Sequence, residues 1–509
     1  MAHFAIGRNI TIAHNSIIIS DTMRSVKIAS ASIAQPIDAG IALVRREIFR
    51  STKQHACREE ILPRRALRQI EKLRGSLFSV GGPLLVARAP ARLDVMGGIA
   101  DYSGSLVLEW PLAQATVAAA APRADTLAIA YSFSAADLGL EPEVAVPLAK
   151  LCASECSYAD VADLFAKTGK SWAGYVLGCV AVLVAEGIMP APACGLSIAV
   201  CSDVSIGSGV ASSASLEVAA MSAIAAHYQL QIEPLRLARL CQIVENHVVG
   251  APCGIMDQVT ASLARKDHLL AIRCRPHEIV GDVRVPDGYG VFGLVSGVRH
   301  SVGGSRYGRT RAATFMGKKI IEAATGRRTD YLTQYSPADY RETLHKILPP
   351  RIKGGDFLDE YGRTDDDATT VEPDVTYSVR PCTRHPIYEN ARVVEFAECI
   401  EQGTEPAMMG AGKLMYASHH SYGRWCGMGC RETDLLVRLV RELGPEHGLY
   451  GAKITGGGCG GTVAVLARAD ADDKLKDVAS QYQQRTGLEA EILRGSSDGA
   501  AHSPVQSIN

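Results

Sequence analysis

Eleven residues, RLDVMGGIADY (92–102), bring together Arg92, Asp94, Gly97, Gly98, Asp101 and Tyr102, a set that an apolar strand has no use for. Further on, DVSIGSGVASSASLEVAAM (203–221) sets Gly207 and Gly209 just ahead of Ser212, Ser213 and Ser215. Glycine lets backbone approach a ligand closely. A helix N-terminus adds unpaired N–H groups and about half a positive charge, which suits phosphate. An ordinary Gly/Ser loop with a serine cap looks the same, so this loop alone decides nothing. A second run, TGGGCGG (455–461), has five glycines in seven residues between apolar stretches. Glycines weaken any strand they occupy, so the run serves a positive φ or a ligand contact. Two such loops in one chain favour phosphate.

Two named alternatives fail. The first loop lacks the Gly-Lys-Ser/Thr ending of a Walker A loop, and Ser212 stands where a dinucleotide fingerprint has its third glycine. The carboxylates give the phosphate a use. CQIVENHVVGAPCGIMDQ (241–258) carries Glu245 near the end of a helix and Asp257 after a Pro-Cys-Gly turn. Each alone reads as a solvated or capping acid. Phosphorylation of a hydroxyl needs Mg²⁺ on oxygen ligands and often a base beside the acceptor. Ser213 with Glu245 could supply the first and Asp257 the second. Arg92 could pair with Asp257 and face the developing phosphoryl charge.

The elements that must position these groups alternate. Strands are expected at 84–89, 195–202, 268–273 and 290–296, and helices at 212–227, 233–248, 387–402, 429–443 and 471–486. A mixed α/β or α+β fold of two lobes follows. Residues 325–385 turn polar, as in YGRTDDDATTVEPDV (361–375), and read as an insertion or lid. Residues 1–80 show no chemistry: the first two dozen read as a poorly ordered extension, and 42–74 as one exposed helix.

Composition bounds the function. The chain has 509 residues, 47% hydrophobic and 21% charged, with a net charge of −1, which argues against nucleic acid or anionic membrane as main partner. Its most apolar window, 171–192, carries Glu186, Pro190 and Pro192 and falls short of the roughly 20 clean residues of a membrane span. Fourteen cysteines are scattered without paired zinc spacing, and no secretory signal is recognisable, so a cytoplasmic protein with reduced thiols is expected.

Taken together, APARLDVMGGIADYSGSLVL (89–108), SIGSGVASSASLE (205–217) and GAKITGGGCGG (451–461) resemble the sugar signature, phosphate loop and third motif of the galactokinase branch of the GHMP kinases. ENHVVGAPCGIMDQ (245–258) and SGVRHSVGGSRYGRTR (296–311) match the segments between them, in order over about four fifths of the chain. RHPIYENARV (384–393) makes it especially similar to the kinase part of plant-type L-arabinokinases, whose large N-terminal region has no counterpart in residues 1–80. The resemblance implies a two-lobed GHMP kinase fold with its active site between the lobes: an N-terminal lobe over 81–285 and a C-terminal lobe over 286–500, with the insertion at about 325–385. It implies transfer of the ATP γ-phosphoryl to the anomeric hydroxyl of a pyranose, with Mg²⁺ and no obligate protein partner. Asp257 matches the catalytic aspartate and Arg92 its partner. Ser213 and Glu245 match the Mg²⁺ ligands. Gly207, Ser208, Gly209, Val210, Ala211, Ser212 and Ser213 match the triphosphate cradle, with Gly456, Gly457 and Gly458 in the third motif. Asp101, Gly254 and Tyr307 match sugar contacts.

The departures bear on the substrate. Galactokinases carry Glu-His-Thr where this chain has Gly98, Ile99 and Ala100, and that glutamate binds galactose's exocyclic hydroxymethyl. L-Arabinose has the same ring configuration without that group. The apolar replacement favours L-arabinose, although Gly98, smaller than glutamate, could leave room for galactose. Ala91, Ala211 and Ser205 also differ from the usual residues, without removing a matched catalytic group. A galactokinase, or a sugar and ATP sensor without turnover, are the competing readings.

Overall fold

Runs of alanine and branched aliphatics from Leu84 onward form strands buried on both faces, and the elements around them supply the cover. The computed structural model describes Ile10–Ala13, Ser16–Ile19 and residues 64–508, apart from 80–81, 154–155, 167–168, 252, 276, 300–304 and 367. The chain forms two compact units, Met1–Arg50 and Ser51–Asn509. In the first, Ile10–Ala13 pairs antiparallel with Ser16–Ile19. The reading of the first two dozen residues otherwise lies outside the described residues, as does most of the helix expected over 42–74, of which Arg64–Glu71 is seen.

The second unit holds every residue of chemical interest. Its larger sheet has eight strands; along its main path run Gln506–Ile508, Leu84–Met96, Leu106–Pro122, Leu196–Ser202, Leu127–Ser132 and Glu143–Pro147. His268–Arg273 pairs with the other end of Leu106–Pro122 and carries Glu278–Arg284 beside it. One face packs on helices Ser171–Ala185 and Ser212–His227. Ile70, Leu77 and Phe78 cover Val117, Ala119 and Ile129 on the other, so part of the N-terminal extension belongs to this core. The smaller sheet orders Leu449–Ile454, Thr462–Arg468, Tyr289–Val295 and Glu491–Leu493, all antiparallel, under helices Arg431–Leu443 and Asp472–Thr486.

Three elements differ from expectation. The strand from Leu84 runs on through RLDV to Met96, because the glycine pair that ends it comes only at 97. The helix from Pro234 stops at Ile243 and widens into a π turn over Val244–Val249. The polar 325–385 segment is no loose lid: Tyr340, Leu344, Phe357 and Tyr377 bury in one core with Ile99 and Tyr102, and Asp366 forms an ion pair with Arg311 at 2.6 Å. No helix among the described residues is long and apolar enough to cross a membrane.

Candidate active site

Two irregularities interrupt the pairing of Leu84–Met96 with Leu106–Pro122, between Pro90 and Arg92 and between Asp94 and Met96. Such bulges re-aim side chains and gather near active sites. Here they flank Arg92 and Asp94. Ala91, at the first of the two, stays out of the left-handed region.

Arg92 is the hub. Its Nη2 and Nε donate to Asp257 Oδ1 at 2.6 and 3.0 Å, and Nη1 donates to the Gly209 carbonyl at 2.9 Å. Its own N–H reaches the Val210 carbonyl at 3.0 Å, so the strand is tied to the glycine loop. Glu109 Oε2 lies 3.0 Å from Nε on the buried side. Burial opposes the guanidinium charge, but Asp257, Glu109 and Asp94 outweigh it and raise its pKa. Glu109 itself is pushed well above the ordinary carboxylate range, by burial first and against the pull of Arg92.

The side expected to take phosphate is made of backbone. Gly207, Gly209 and Ala211 are left-handed, at φ 74°, 75° and 61°, and the helix opens at Ser212. The third-motif loop lies directly against this turn. A Cβ on Gly456 would sit 2.6 Å from the Gly209 carbonyl, and one on Gly461 would sit 2.6 Å from that of Ser208. Gly207, Gly209, Ala211, Ser212, Ser213, Gly456 and Gly457 line one cavity with Arg92 and Asp257. Ser208, Val210 and Gly458 stand behind it. Ser208 bonds its own loop at the Ser205 carbonyl, 2.6 Å away, Val210 is buried, and Gly458 is wedged against Met428 and Tyr422.

Glu245, in the π turn, reaches the same cavity. The nearby Ser213 hydroxyl favours its charged form, and it accepts at 2.6 Å from Gln258 Nε2, which also bonds Glu217 at 3.2 Å. Burial pushes Glu245 up to about 7.

Asp101, Gly254, Tyr307 and Ile99 line the opposite end of the cavity. Asp101 opens the short turn Asp101–Ser103, and burial, opposed by Arg311, takes it to about 6. Position 254 is closed to larger residues, since a Cβ there would lie 2.6 Å from Asp101 Oδ2. Ile99 is left-handed at φ 50°, an outlier for a β-branched residue that costs on the order of 1–3 kcal/mol and typifies functional sites.

Gly98 does not line the cavity, and the room expected beside it is already filled. A Cβ at 98 would fall 2.1 Å from Asp94 Oδ2 and 3.2 Å from Tyr422 Cε2. Asp94 is fixed there by Lys453, Nζ to Oδ2 3.3 Å, with both side chains fully buried.

Sequence reasoning missed Glu109, Gln258, Lys453 and Tyr422. The last packs beside Gly98 and donates its hydroxyl to the Gly456 carbonyl. It also missed an apolar pocket of Leu138, Leu140, Trp172, Val200 and Ile206 that shares Ser212 and Ser213 with the phosphate side. Gln258 sits next to Asp257 and Lys453 two residues before the glycine run, so both had a local cue. The pocket is assembled from four separated stretches and had none.

Known proteins resemble this chain in sequence and in fold. The GHMP kinases N terminal domain family matches residues 174–265 and the GHMP kinases C terminal family residues 404–484. The L-arabinokinase of Arabidopsis thaliana is 38% identical over 84% of this chain, which spans 47% of that protein's length. The galactokinase of Chloroflexus aggregans is 30% identical over 80% of this chain and 90% of its own. The crystal structure of Lactococcus lactis galactokinase complexed with galactose shares the fold at TM-score 0.67 and 21% identity, over 85% of this chain and 99% of that one. The chain belongs to the GHMP kinase family, in the branch that holds the galactokinases.

Proposed function

We propose that this chain is an ATP-dependent sugar 1-kinase whose preferred acceptor is L-arabinose. The observation that carries the reading is the Arg92–Asp257 pair, which shares one cavity with the glycine loop on one side and Asp101 and Ile99 on the other. Asp257 accepts the proton of the anomeric hydroxyl as that oxygen attacks the γ-phosphorus. Arg92, fixed by Asp257 and the Gly209 carbonyl, orients the base and faces the charge that develops on the transferring group. Backbone N–H groups around 207–213 and the helix opening at Ser212 hold the phosphates. The Trp172 pocket takes the nucleobase. Asp101 accepts two vicinal sugar hydroxyls. Ile99 offers no partner to a sixth carbon's hydroxyl, and an apolar wall of this kind discriminates by roughly 10–200-fold.

The Ser213 hydroxyl and Glu245 carboxylate, in contact and facing the phosphates, are a donor set that fits Mg²⁺, which takes one or two carboxylates plus phosphate oxygens. Mg²⁺ bound there would neutralise phosphate charge. The described cysteines are unbridged, which supports action in the reducing cytoplasm.

The test is ADP release from Mg²⁺-ATP with L-arabinose or D-galactose in parallel, with Asp257→Asn as control. L-arabinose is expected to win by about tenfold or more in kcat/KM, and Asp257→Asn to lose at least about 100-fold. Galactose winning overturns the role of Ile99. No turnover with either sugar overturns the kinase and favours a sensor.

A further inference from the structure

The RHPIYENARV segment carries no reacting group, yet three of its residues bond the sugar turn. It lies in the helix Val379–Gln402, where His385 and Glu389, four residues apart, share a face. His385 Nε2 donates to the Gly98 carbonyl at 3.0 Å, and Glu389 Oε1 accepts from the Gly97 N–H at 3.2 Å. Asn390 Oδ1 accepts from the Leu106 N–H at 3.0 Å. The helix therefore takes hold of backbone at both ends of the loop that carries Ile99 and Asp101.

The loop needs holding. Gly97 and Ile99 are both left-handed, at φ 105° and 50°, and a β-branched residue abandons that conformation when nothing enforces it. The enforcing groups are themselves fixed. A carbonyl only accepts, so Nε2 of His385 carries the proton and Nδ1 accepts from Ser421 Oγ at 2.9 Å. That is the neutral ring, in keeping with burial, which lowers His385 to about 4. Glu389 is bonded by Ser418 Oγ and paired with Arg392 Nη2, both at 2.6 Å. Both residues are almost wholly buried, and neither lines the cavity.

We propose that His385 and Glu389 are positioning residues for sugar selection, holding the Gly97–Ile99 turn in the conformation that sets Ile99 against the sugar. The proposal rests on the sugar-kinase reading for its substrate, but its geometry is measured without one.

The experiment compares His385→Leu, His385→Gln and Glu389→Ala with the unaltered chain in two assays: steady-state kinetics, and hydrogen exchange of the free protein read by mass spectrometry. His385→Leu and Glu389→Ala are expected to raise the KM for L-arabinose by about tenfold and to narrow its advantage over galactose, with the KM for ATP unchanged within about twofold. Exchange should rise about tenfold over 97–106 and stay unchanged over 207–213. His385→Gln, whose amide can still donate to the Gly98 carbonyl, should recover most of the loss. Folded variants with unchanged sugar KM and unchanged exchange overturn the proposal. So does a parallel rise in both KM values with exchange raised throughout, which is the mark of a merely structural role. If His385→Leu does not fold, Glu389→Gln keeps an acceptor for Gly97 and is expected to show a smaller shift of the same kind. Inactivity of the unaltered chain with both sugars refutes the substrate, while the exchange pattern still decides the clamp.

Discussion

The two ends of the cavity are built by opposite means. At the phosphate end, two glycine loops from distant parts of the sequence touch backbone to backbone, and within each loop the groups that face the ligand lie within a few residues of one another. At the sugar end the wall is a strained turn, backed by the Asp94–Lys453 ion pair and gripped from a helix almost 290 positions away in sequence, as in the His385–Gly98 bond. The difference follows from what each ligand needs. A triphosphate is bound by N–H groups and a helix terminus, which short local motifs supply. The proposed sugar is the one that lacks a hydroxymethyl, and rejecting that extra group takes a wall held rigid from several sides.

The largest effect should come from the ion pair behind Gly98. Asp94→Ala leaves Lys453 buried without its carboxylate, a change that costs about 3–5 kcal/mol. Gly98→Glu alone drives a side chain into Asp94 and should likewise lower the denaturation midpoint, without gaining galactose kinase activity. Combined, the two substitutions let the new carboxylate meet Lys453. The double variant should be more stable than the sum of the singles by about 0.5–3 kcal/mol in a denaturant cycle. Strict additivity would show that position 98 and Asp94 do not compete for one space, and the contrast between the two ends would lose its basis.

Gly456→Ala tests the phosphate end. Its Cβ would meet the Gly209 carbonyl at 2.6 Å at a φ of 64°, and backbone cannot swing aside as a side chain can. A displacement of about 1 Å in the phosphate loop should lower kcat/KM for ATP about 100-fold, with sugar binding, followed by calorimetry, left intact. A loss of sugar affinity of equal size would mean that the loops are coupled through Tyr422, which touches both Gly98 and Gly456.

The same contrast governs what could be read from sequence. The helix Ser212–His227 and strand His268–Arg273 fall where periodicity and glycine punctuation put them, because local pattern decides them. The members of the proposed catalytic pair are 165 residues apart, Arg92 to Asp257, yet each sits in a segment of unusual residue type, so both were visible. Asp94 stood in plain view within RLDVMGG, but its use could not be read: whether an aspartate faces a ligand, a lysine or the space a neighbour would need is a long-range fact. The polar 325–385 segment misled for the same reason. Three of its six aromatics, Tyr340, Phe357 and Tyr377, bury and seat it in the core beside Ile99, and a polar average hides three well-placed rings.

The smallest effect is the pH dependence of the sugar end. Burial places Asp101 at about 6, and only the ionised carboxylate accepts from two hydroxyls at once. As pH falls below 6, kcat/KM for L-arabinose should decline, approaching about tenfold per unit, while the KM for ATP does not follow the same curve. Unfolding is separable from this by sign. A carboxylate raised from 3.8 to about 6 holds its proton more tightly when folded, so Asp101 stabilises the native chain as pH falls through that window. His385, lowered from 6.5 to about 4, acts in the opposite sense over nearly the same range, because the unfolded chain binds the proton first. The two contributions oppose each other, so the thermal midpoint between pH 6 and 4 should move little on their account while turnover of L-arabinose fades. Asp101→Asn should flatten the kinetic curve and remove one of the contributions that oppose His385, making the midpoint fall more steeply with acid than in the parent. A parent profile for L-arabinose that stays flat to pH 5 would remove Asp101 from the sugar and return it to the core.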